Sequence, residues 1–275
     1  FHLARRPFAP SDGFRLTLLR RTANGATTQV DSLDGGVPVA RFDSTRGELE
    51  LARPLGVTPE PAMSYELQSD EEAPITGIRW LMGKRLDEEI GPVEVRLGTT
   101  RGTNALLERQ GAATALVTTA GFRDVLRIAY QNRPRLFDLE IRLPADLYSE
   151  VVELEERLDK DGGVLRPLDE SEVRRKLTAL RQRGIVSLAA CLLHSYRNGA
   201  HEQLVERVAR ELGFEQVSVS SRLSPLQKIV ARGDTTVVDA YLTPIIRDYV
   251  SSIAAKIPQG SLKLMTSAGA LVDAL

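Results

Sequence analysis

A single cysteine, Cys191, stands among 275 residues, with only three histidines and one tryptophan. One thiol cannot build a disulfide framework, which excludes the small stapled secreted classes and fits a reducing compartment. Cys191 lies in the apolar run IVSLAACLL and reads as a buried core thiol, not a nucleophile. Histidine this sparse leaves no common zinc set. His194 and His201 have no cysteine beside them and no second histidine at i+4, and His201-Glu202 lacks the rest of a zinc-protease motif. No metal site is therefore assigned. There is no G-x-S-x-G elbow and no G-x-G-x-x-G fingerprint, so neither a serine hydrolase nor a Rossmann cofactor site is supported. Net charge is also scarce: 36 Lys and Arg oppose 37 Asp and Glu, a formal −1, which gives no electrostatic footprint for nucleic acid. No apolar run approaches the ~18 residues of a membrane span. The segment FHLARRPFAPSDG lacks the apolar centre of a signal peptide. A soluble, cytoplasmic protein without nucleic-acid or membrane partners is expected.

What is present is organised around residues 93–134. Val93, Val95 and Leu97 alternate with Glu94 and Arg96, the period of a half-buried strand. The strand runs into Gly98, Thr99 and Thr100. A helix is expected over Thr103–Arg109, stopped by Gly111. A second strand, Thr114–Val117, ends in Thr118 and Thr119, and a helix over Phe122–Ile128 follows. Helical crossovers between strands imply parallel pairing, and open parallel sheets collect ligands at their carboxyl ends. Both threonine turns stand at such ends.

Before this stretch, residues 13–52 read as a small antiparallel β meander with turns at Asn24-Gly25, Asp34-Gly35-Gly36 and Arg46-Gly47. Residues 53–68, with Pro54, Pro59 and Pro61, read as a linker. Ser69 and Glu72 suggest a capping box for a helix from about Glu72 to Arg85, with Ile75, Ile78, Leu81 and Met82 inward and Trp80 in the core. After it, Val151–Leu158 reads as a strand and Asp161-Gly162-Gly163 as a turn. Asp169 and Glu172 are expected to cap a helix to Arg183. Ile185–Leu193 has the continuous apolar character of a central parallel strand, and a helix over His201–Leu212 leads to a strand at Val217 and Val219. The strands beginning near Val93, Ala113 and Ile185 are expected in one sheet. Asp234 is expected to cap a helix over Thr235–Ala255, kinked at Pro244. Leu262–Met265 then forms a strand ending in Thr266-Ser267-Ala268-Gly269.

The segments GTTRGTNALLER, ALVTTAGFRDVLRIAYQNRP, LLHSYRN, SPLQKIVARGDTTVVDAYLTP and LKLMTSAG occur in this order. Together they resemble the N-terminal region of the hydantoinase A/5-oxoprolinase family, over roughly residues 65–275. The resemblance implies an α/β fold, mostly parallel sheet with flanking helices, as part of an actin-like ATPase or ribonuclease H-like lobe. The antiparallel meander would precede it. Three regions follow: 1–68 meander and linker, 69–223 the α/β domain, and 224–275 a long helix with the first strand of a second lobe. The chain is expected to be an internal fragment, inactive by itself, because the family's phosphate loops are not found in it. Asp34-Gly35-Gly36 reads as a hairpin turn, not such a loop.

The implied activity is ATP-dependent opening of a cyclic amide, 5-oxoproline or a hydantoin, through a phosphorylated intermediate, with ATP and Mg²⁺ as cofactors. The implied partners are a hydantoinase B-type subunit or fused domain and further copies of the chain. The family also contains ketone carboxylases, and a structural or binding portion is the third reading. Gly98, Thr99, Thr100, Asn104, Asn132 and Arg133 are implied near substrate, and Thr266, Ser267 and Gly269 near nucleotide. No catalytic residue is assigned. Thr103 and Asn104 can equally cap their helix, and Arg133 can equally pair with Asp138 or Glu140. Ala270 stands where the family usually carries a second glycine.

Overall fold

The computed structural model describes residues 14–21, 27–29, 36–43, 48–60, 63–69, 71–84, 86, 88–131, 137 and 143–274. The turns expected at Asn24-Gly25, Asp34-Gly35 and Arg46-Gly47, and the candidate residues Asn132 and Arg133, lie outside them. The chain divides into two compact units, residues 1–98 with 249–275, and residues 99–248.

In the first unit, β1 (Phe14–Arg21), β2 (Thr27–Gln29), β3 (Val37–Asp43), β4 (Glu48–Leu51) and β5 (Ser64–Ser69) form an antiparallel sheet in the order β2-β1-β3-β4, with β5 paired to β1. Phe14, Leu16 and Leu18 are buried and pack with Val39, Leu51 and Leu67, as period-2 alternation requires of a sheet covered on one face. Residues 64–68, expected in a linker, belong to the strand β5, which Ser69 ends. The capping box is therefore not formed. Helix α1 (Ala73–Met82) starts after Glu72, whose side chain makes no cap bond, while the Ser69 hydroxyl lies 3.0 Å from that of Thr76. Its inward face also differs from the apolar count. Ile75 is buried, but Leu81 is 87% and Trp80 38% exposed. Arg79 is the other buried residue of α1. Its Nε donates to both carboxylate oxygens of Glu71, at 2.8 and 3.1 Å. Pairing and hydrogen bonding make that burial tolerable.

β6 (Glu94–Leu97) is not in the sheet of the later strands. It pairs in parallel with β13 (Ser261–Met265), which pairs antiparallel with β14 (Leu271–Asp273). The expectation of one sheet for the strands near Val93, Ala113 and Ile185 is thereby overturned. The strand expected at Leu262–Met265 thus has a neighbour on each side. Periodicity marks a strand but not the strand it pairs with.

The second unit is a three-layer α/β/α arrangement. Its sheet contains β7 (Thr114–Thr119), β8 (Glu150–Leu154), β11 (Ser187–Cys191) and β12 (Gln216–Val219), in the order β12-β11-β7-β8, all parallel. The strand expected over 151–158 breaks after Leu154, and β9 (Arg157–Leu158) turns back as a hairpin with β10 (Val164–Arg166). Every residue of β7 and β11 is buried, because helices cover both faces. On one side, Val173, Leu177 and Leu180 of α4 (Glu170–Gln182) and Val205 and Val208 of α5 (Ala200–Glu211) pack on Ala115, Val117, Leu188 and Ala190. Each such fully buried leucine stabilises by about 1.5–3 kcal/mol. On the other, Leu126 of α3 (Val125–Ile128) and Val237 and Ala240 of α7 (Ile229–Lys256) meet Leu116, Ala189 and Cys191. The Asp169 carboxylate caps α4, accepting from the Ser171 amide at 3.0 Å. Glu172 is not its capping-box partner but pairs with Lys176 at 2.6 Å.

Three boundaries shift for physical reasons. α2 (Arg101–Leu107) ends without Gly111. Arg109 takes the left-handed conformation, φ 58°, and the Arg109 and Gln110 amides donate to Leu106 and Ala105 carbonyls, a Schellman closure. Gly111 serves packing: a Cβ there would lie 2.1–2.3 Å from the Tyr241 ring. α3 is only Val125–Ile128, shorter than the expected 122–128. α7 begins at Ile229, so Asp234 lies within it and not at its cap. A short helix, α6 (Ser220–Leu223), links β12 towards α7.

Candidate functional site

The β6–β13 pairing joins two segments that the sequence kept about 170 residues apart. Val95 faces Leu262 and Leu97 faces Leu264, so both strands point the same way and leave the ladder together. Gly98, the first residue of the Gly/Thr turn, and Thr266-Ser267-Ala268-Gly269, the β13–β14 turn, thus emerge at the same carboxyl end. Such ends are where open parallel sheets hold ligands.

Gly98, Thr99, Thr100, Thr103 and Asn104 are all exposed. The Thr99 hydroxyl accepts from the Arg101 amide at 3.1 Å, which leaves its own hydrogen free to donate. Thr100 occupies the N-cap position of α2, yet its side chain makes no cap bond. Asn104 sits in the second turn of α2, where its amide donates to the Thr100 carbonyl. The capping role left open for Asn104 is therefore not taken. α2 is seven residues long, and its significance lies in the hydroxyls and the carboxamide at its start, not in its dipole.

In the companion turn, the Thr266 hydroxyl is engaged locally. It lies 3.2 Å from both the Ala270 carbonyl and the Ala270 amide, and the Thr266 amide donates to the Ala270 carbonyl at 2.8 Å. Gly269 has φ 79°, a conformation that favours glycine. Ser267 and Gly269 remain exposed. Thr266 thus shapes the turn, while Ser267 presents a free-facing hydroxyl.

The second threonine turn leads elsewhere, into a buried polar cluster at the carboxyl end of the four-stranded sheet. Thr118 donates to the Cys191 carbonyl at 3.0 Å. Thr119 accepts from the Leu193 amide at 2.8 Å and donates to Glu156 Oε1. Glu156 Oε2 accepts from His201 Nδ1 at 2.7 Å. Glu202 takes the Leu192 amide at 2.9 Å, the Ser220 hydroxyl at 2.6 Å and the Ser221 amide at 2.8 Å. Arg232, fully buried, donates to Ser195, to Ser220 at 3.1 Å and to the Leu192 carbonyl at 2.9 Å. Its guanidinium lies 5.6 Å from the Tyr196 ring centre. All four carboxylate oxygens are engaged, so the cluster holds strand ends in place. His201 serves the cluster as a hydrogen-bonding partner of Glu156. Among the described residues, no group of three or more His, Cys, Asp or Glu is gathered to hold a metal ion. Glu156, Glu202 and Arg232 carried no local motif; for Glu202 and Arg232 a charged residue within a helix was the one available signal, and Glu156, between β8 and β9, had none.

The family model for the hydantoinase/oxoprolinase N-terminal region matches residues 57–213. The chain belongs to this family. Its relatives include 5-oxoprolinase 1 of Arabidopsis thaliana, 39% identical over 222 residues, covering 70% of this chain and 18% of the plant protein. The 5-oxoprolinase of Saccharomyces cerevisiae is 37% identical over 251 residues, covering 77% and 19%. This hydantoinase/oxoprolinase chain therefore spans less than a fifth of the length of these curated relatives. Among solved structures, the ATP-dependent caprolactamase from Pseudomonas jessenii aligns with a TM-score of 0.64 at 23% identity, over 77% of this chain and 33% of that one. That likeness is one of fold. Among the described residues, no helix is long and apolar enough to cross a membrane.

Proposed function

We propose that this chain is a fragment, from the N-terminal region, of a longer ATP-dependent hydrolase that opens a cyclic amide, with 5-oxoproline as the first substrate to test. The carrying observation is the joint exit of the Gly98 turn and the Thr266–Gly269 turn from neighbouring parallel strands, in a chain of the hydantoinase/oxoprolinase family. In this reading the β6–β13 sheet is part of an actin-like lobe, the parent is cytoplasmic, and a B-type subunit or domain completes the enzyme.

ATP would supply the phosphoryl group that activates the amide oxygen. The part assigned to this chain is orientation and hydrogen bonding. Thr99, Thr100 and Asn104 present donors where the ring amide would sit, with Asn132 and Arg133 as further substrate contacts. Ser267 and Gly269 lie on the nucleotide side. Mg²⁺ would shield the transferring phosphoryl group; among the described residues, no group of three or more His, Cys, Asp or Glu is gathered to hold it.

The test uses the full-length parent. Thr100→Val is expected to lower 5-oxoproline-dependent ADP release about 10²–10³-fold, the effect of losing a donor to developing charge. Since Thr100 caps no amide, the melting temperature should hold. Unchanged turnover would remove the turn from the reaction. Release of ADP dependent on a ketone and bicarbonate, and not on a cyclic amide, would instead assign the carboxylase branch.

A further inference from the structure

α2 has two faces. Gly102, Ala105 and Leu106, at helical spacing, form the inner one and are half-buried or buried, while Thr100, Thr103, Asn104 and Leu107 are exposed. Asn104 stands about 200° round the helix from Gly102, on the exposed side with Thr100. Glycine inside a helix is less stable than alanine, so Gly102 needs a reason. Its backbone supplies none, because Gly102 is not among the residues of positive φ. Space supplies it. A Cβ at residue 102 would lie 3.1 Å from Ile246 Cδ1 and 3.8 Å from Leu242 Cδ1, both on α7. The missing side chain lets α2 lie closer to α7 than alanine allows.

The seat on α7 is itself held. Pro244 lies inside α7 and has no amide to offer the Ala240 carbonyl one turn earlier. The Ser187 hydroxyl of β11 donates to that buried carbonyl instead, at 2.6 Å. The next carbonyl, that of Tyr241, accepts from the Ala112 amide at 3.0 Å, and Gly111 admits the Tyr241 ring. The Pro244 region of α7 is thereby tied to β11 and to the segment entering β7. α2 rests on it through Gly102 at its start, and Gly111 follows just past its end. All these residues belong to the second unit. With α7 tied down and isoleucine stiff at χ1 in a helix, a side chain added at residue 102 pushes α2 outward, and Thr100 and Asn104 with it.

We propose that Gly102 is a positioning residue: its close approach to Ile246 and Leu242 sets where the Thr100 hydroxyl and the Asn104 carboxamide stand. The role rests on the reading of the Gly98 turn as the substrate side of the cyclic amidase. Gly102 itself touches no reacting group. It acts through the distance between α2 and α7.

Steady-state kinetics of 5-oxoproline-dependent ADP release in the full-length parent tests this. A misplacement of 1 Å can cost about 10²-fold in rate, so the few tenths of an ångström imposed by Gly102→Ala should lower kcat about three- to tenfold. KM should hold, as expected when an interaction made in the transition state is weakened. Ile246→Val removes the Cδ1 that the new Cβ meets, so Gly102→Ala/Ile246→Val should recover most of the loss. In a Thr100→Val background Gly102→Ala should cost less than in wild type, since the two act through one donor. The melting temperature should not fall, because alanine is the better helix former. Unchanged kcat in Gly102→Ala, no recovery with Ile246→Val, full additivity with Thr100→Val, or a fall in melting temperature that accounts for the lost turnover would each overturn the positioning role. A loss in Thr100→Val with none in Gly102→Ala overturns it and leaves the cyclic amidase reading standing. If the parent turns over no cyclic amide, that reading fails, and crystal structures of the 275-residue chain decide the seat. α2 displaced from α7 in Gly102→Ala and returned by Ile246→Val supports it, and α2 unmoved overturns it.

Discussion

Arg232→Met tests whether the buried cluster holds the carboxyl ends of the four-stranded sheet. Arg232 is fully buried and donates to Ser195 and Ser220 side chains and to the Leu192 carbonyl. It is linked to the Glu202 carboxylate through the Ser220 hydroxyl, which accepts from Arg232 at 3.1 Å and donates to Glu202 at 2.6 Å. Methionine fills much of the same volume but removes the cation and the three donors. Glu202, also fully buried, would then keep its charge with neutral donors only. Removing one partner of a buried charged pair costs about 3–5 kcal/mol. The linkage here passes through a hydroxyl, and Glu202 retains three donors, so the lower end, about 3 kcal/mol, is expected. For a unit of this size that corresponds to a fall of about 6–12 °C in melting temperature.

Urea unfolding of wild type, Arg232→Met, Glu202→Gln and the double variant would measure it. The double variant should lose less than the sum of the single losses, because removing both charges leaves no uncompensated ion. Arg232→Lys should recover only part, since an ammonium cannot reproduce the planar fork that reaches Leu192 and both serines. A loss below about 1 kcal/mol in Arg232→Met, or strict additivity in the cycle, would refute the coupling.

Gly111→Ala should destabilise by about 1–3 kcal/mol, the usual cost of overpacking, because its Cβ would meet the Tyr241 ring at 2.1–2.3 Å; combination with Tyr241→Leu should return most of it in chemical unfolding. Cys191 is 2% exposed, and burial pushes its thiol up to about 11. Its reaction with a disulfide reagent at pH 8 should therefore track unfolding, and modification at the rate of the denatured chain would contradict this. The Arg222 guanidinium, then Arg210, holds the Glu206 carboxyl below the usual carboxylate range. A depressed carboxyl stabilises above its unfolded pKa and loses that contribution as pH falls through its folded pKa. Arg222→Gln should thus be less stable than wild type at pH 7, and the two should converge in acid; a gap that persists at the lowest pH would count against it.

What could be read from the sequence depended on whether the signal was local. The unbroken apolar run at 185–193 marks a central strand, and β11 is buried on both faces. Asp169 before an amphipathic segment marks a helix start, and its carboxylate makes the bond. Both signals lie within a few residues. α1 shows where locality misleads. Apolar residues at helical spacing suggested Leu81 and Met82 as an inner face, whereas Arg79 is drawn inward by Glu71, eight residues away and bonded through both oxygens. Spacing cannot report a charge that finds its partner on another element.

Strand pairing is less local still. β6 was recognisable as a strand, but its partner is β13, and no periodicity within 94–97 selects residues 261–265 over 114–119. The same non-locality hid Arg232, whose contacts span 12 to 40 residues, and Glu156, which meets Thr119 and His201 from 37 and 45 residues away. For the candidate site this matters in a specific way. The sequence singled out the Gly98 and Thr266 turns separately, each as a small polar turn after a strand, and that signal alone is weak. Their pairing adds what neither turn shows alone: Gly98 and Thr266 follow adjacent parallel strands at the same carboxyl end, the end at which open parallel sheets hold ligands.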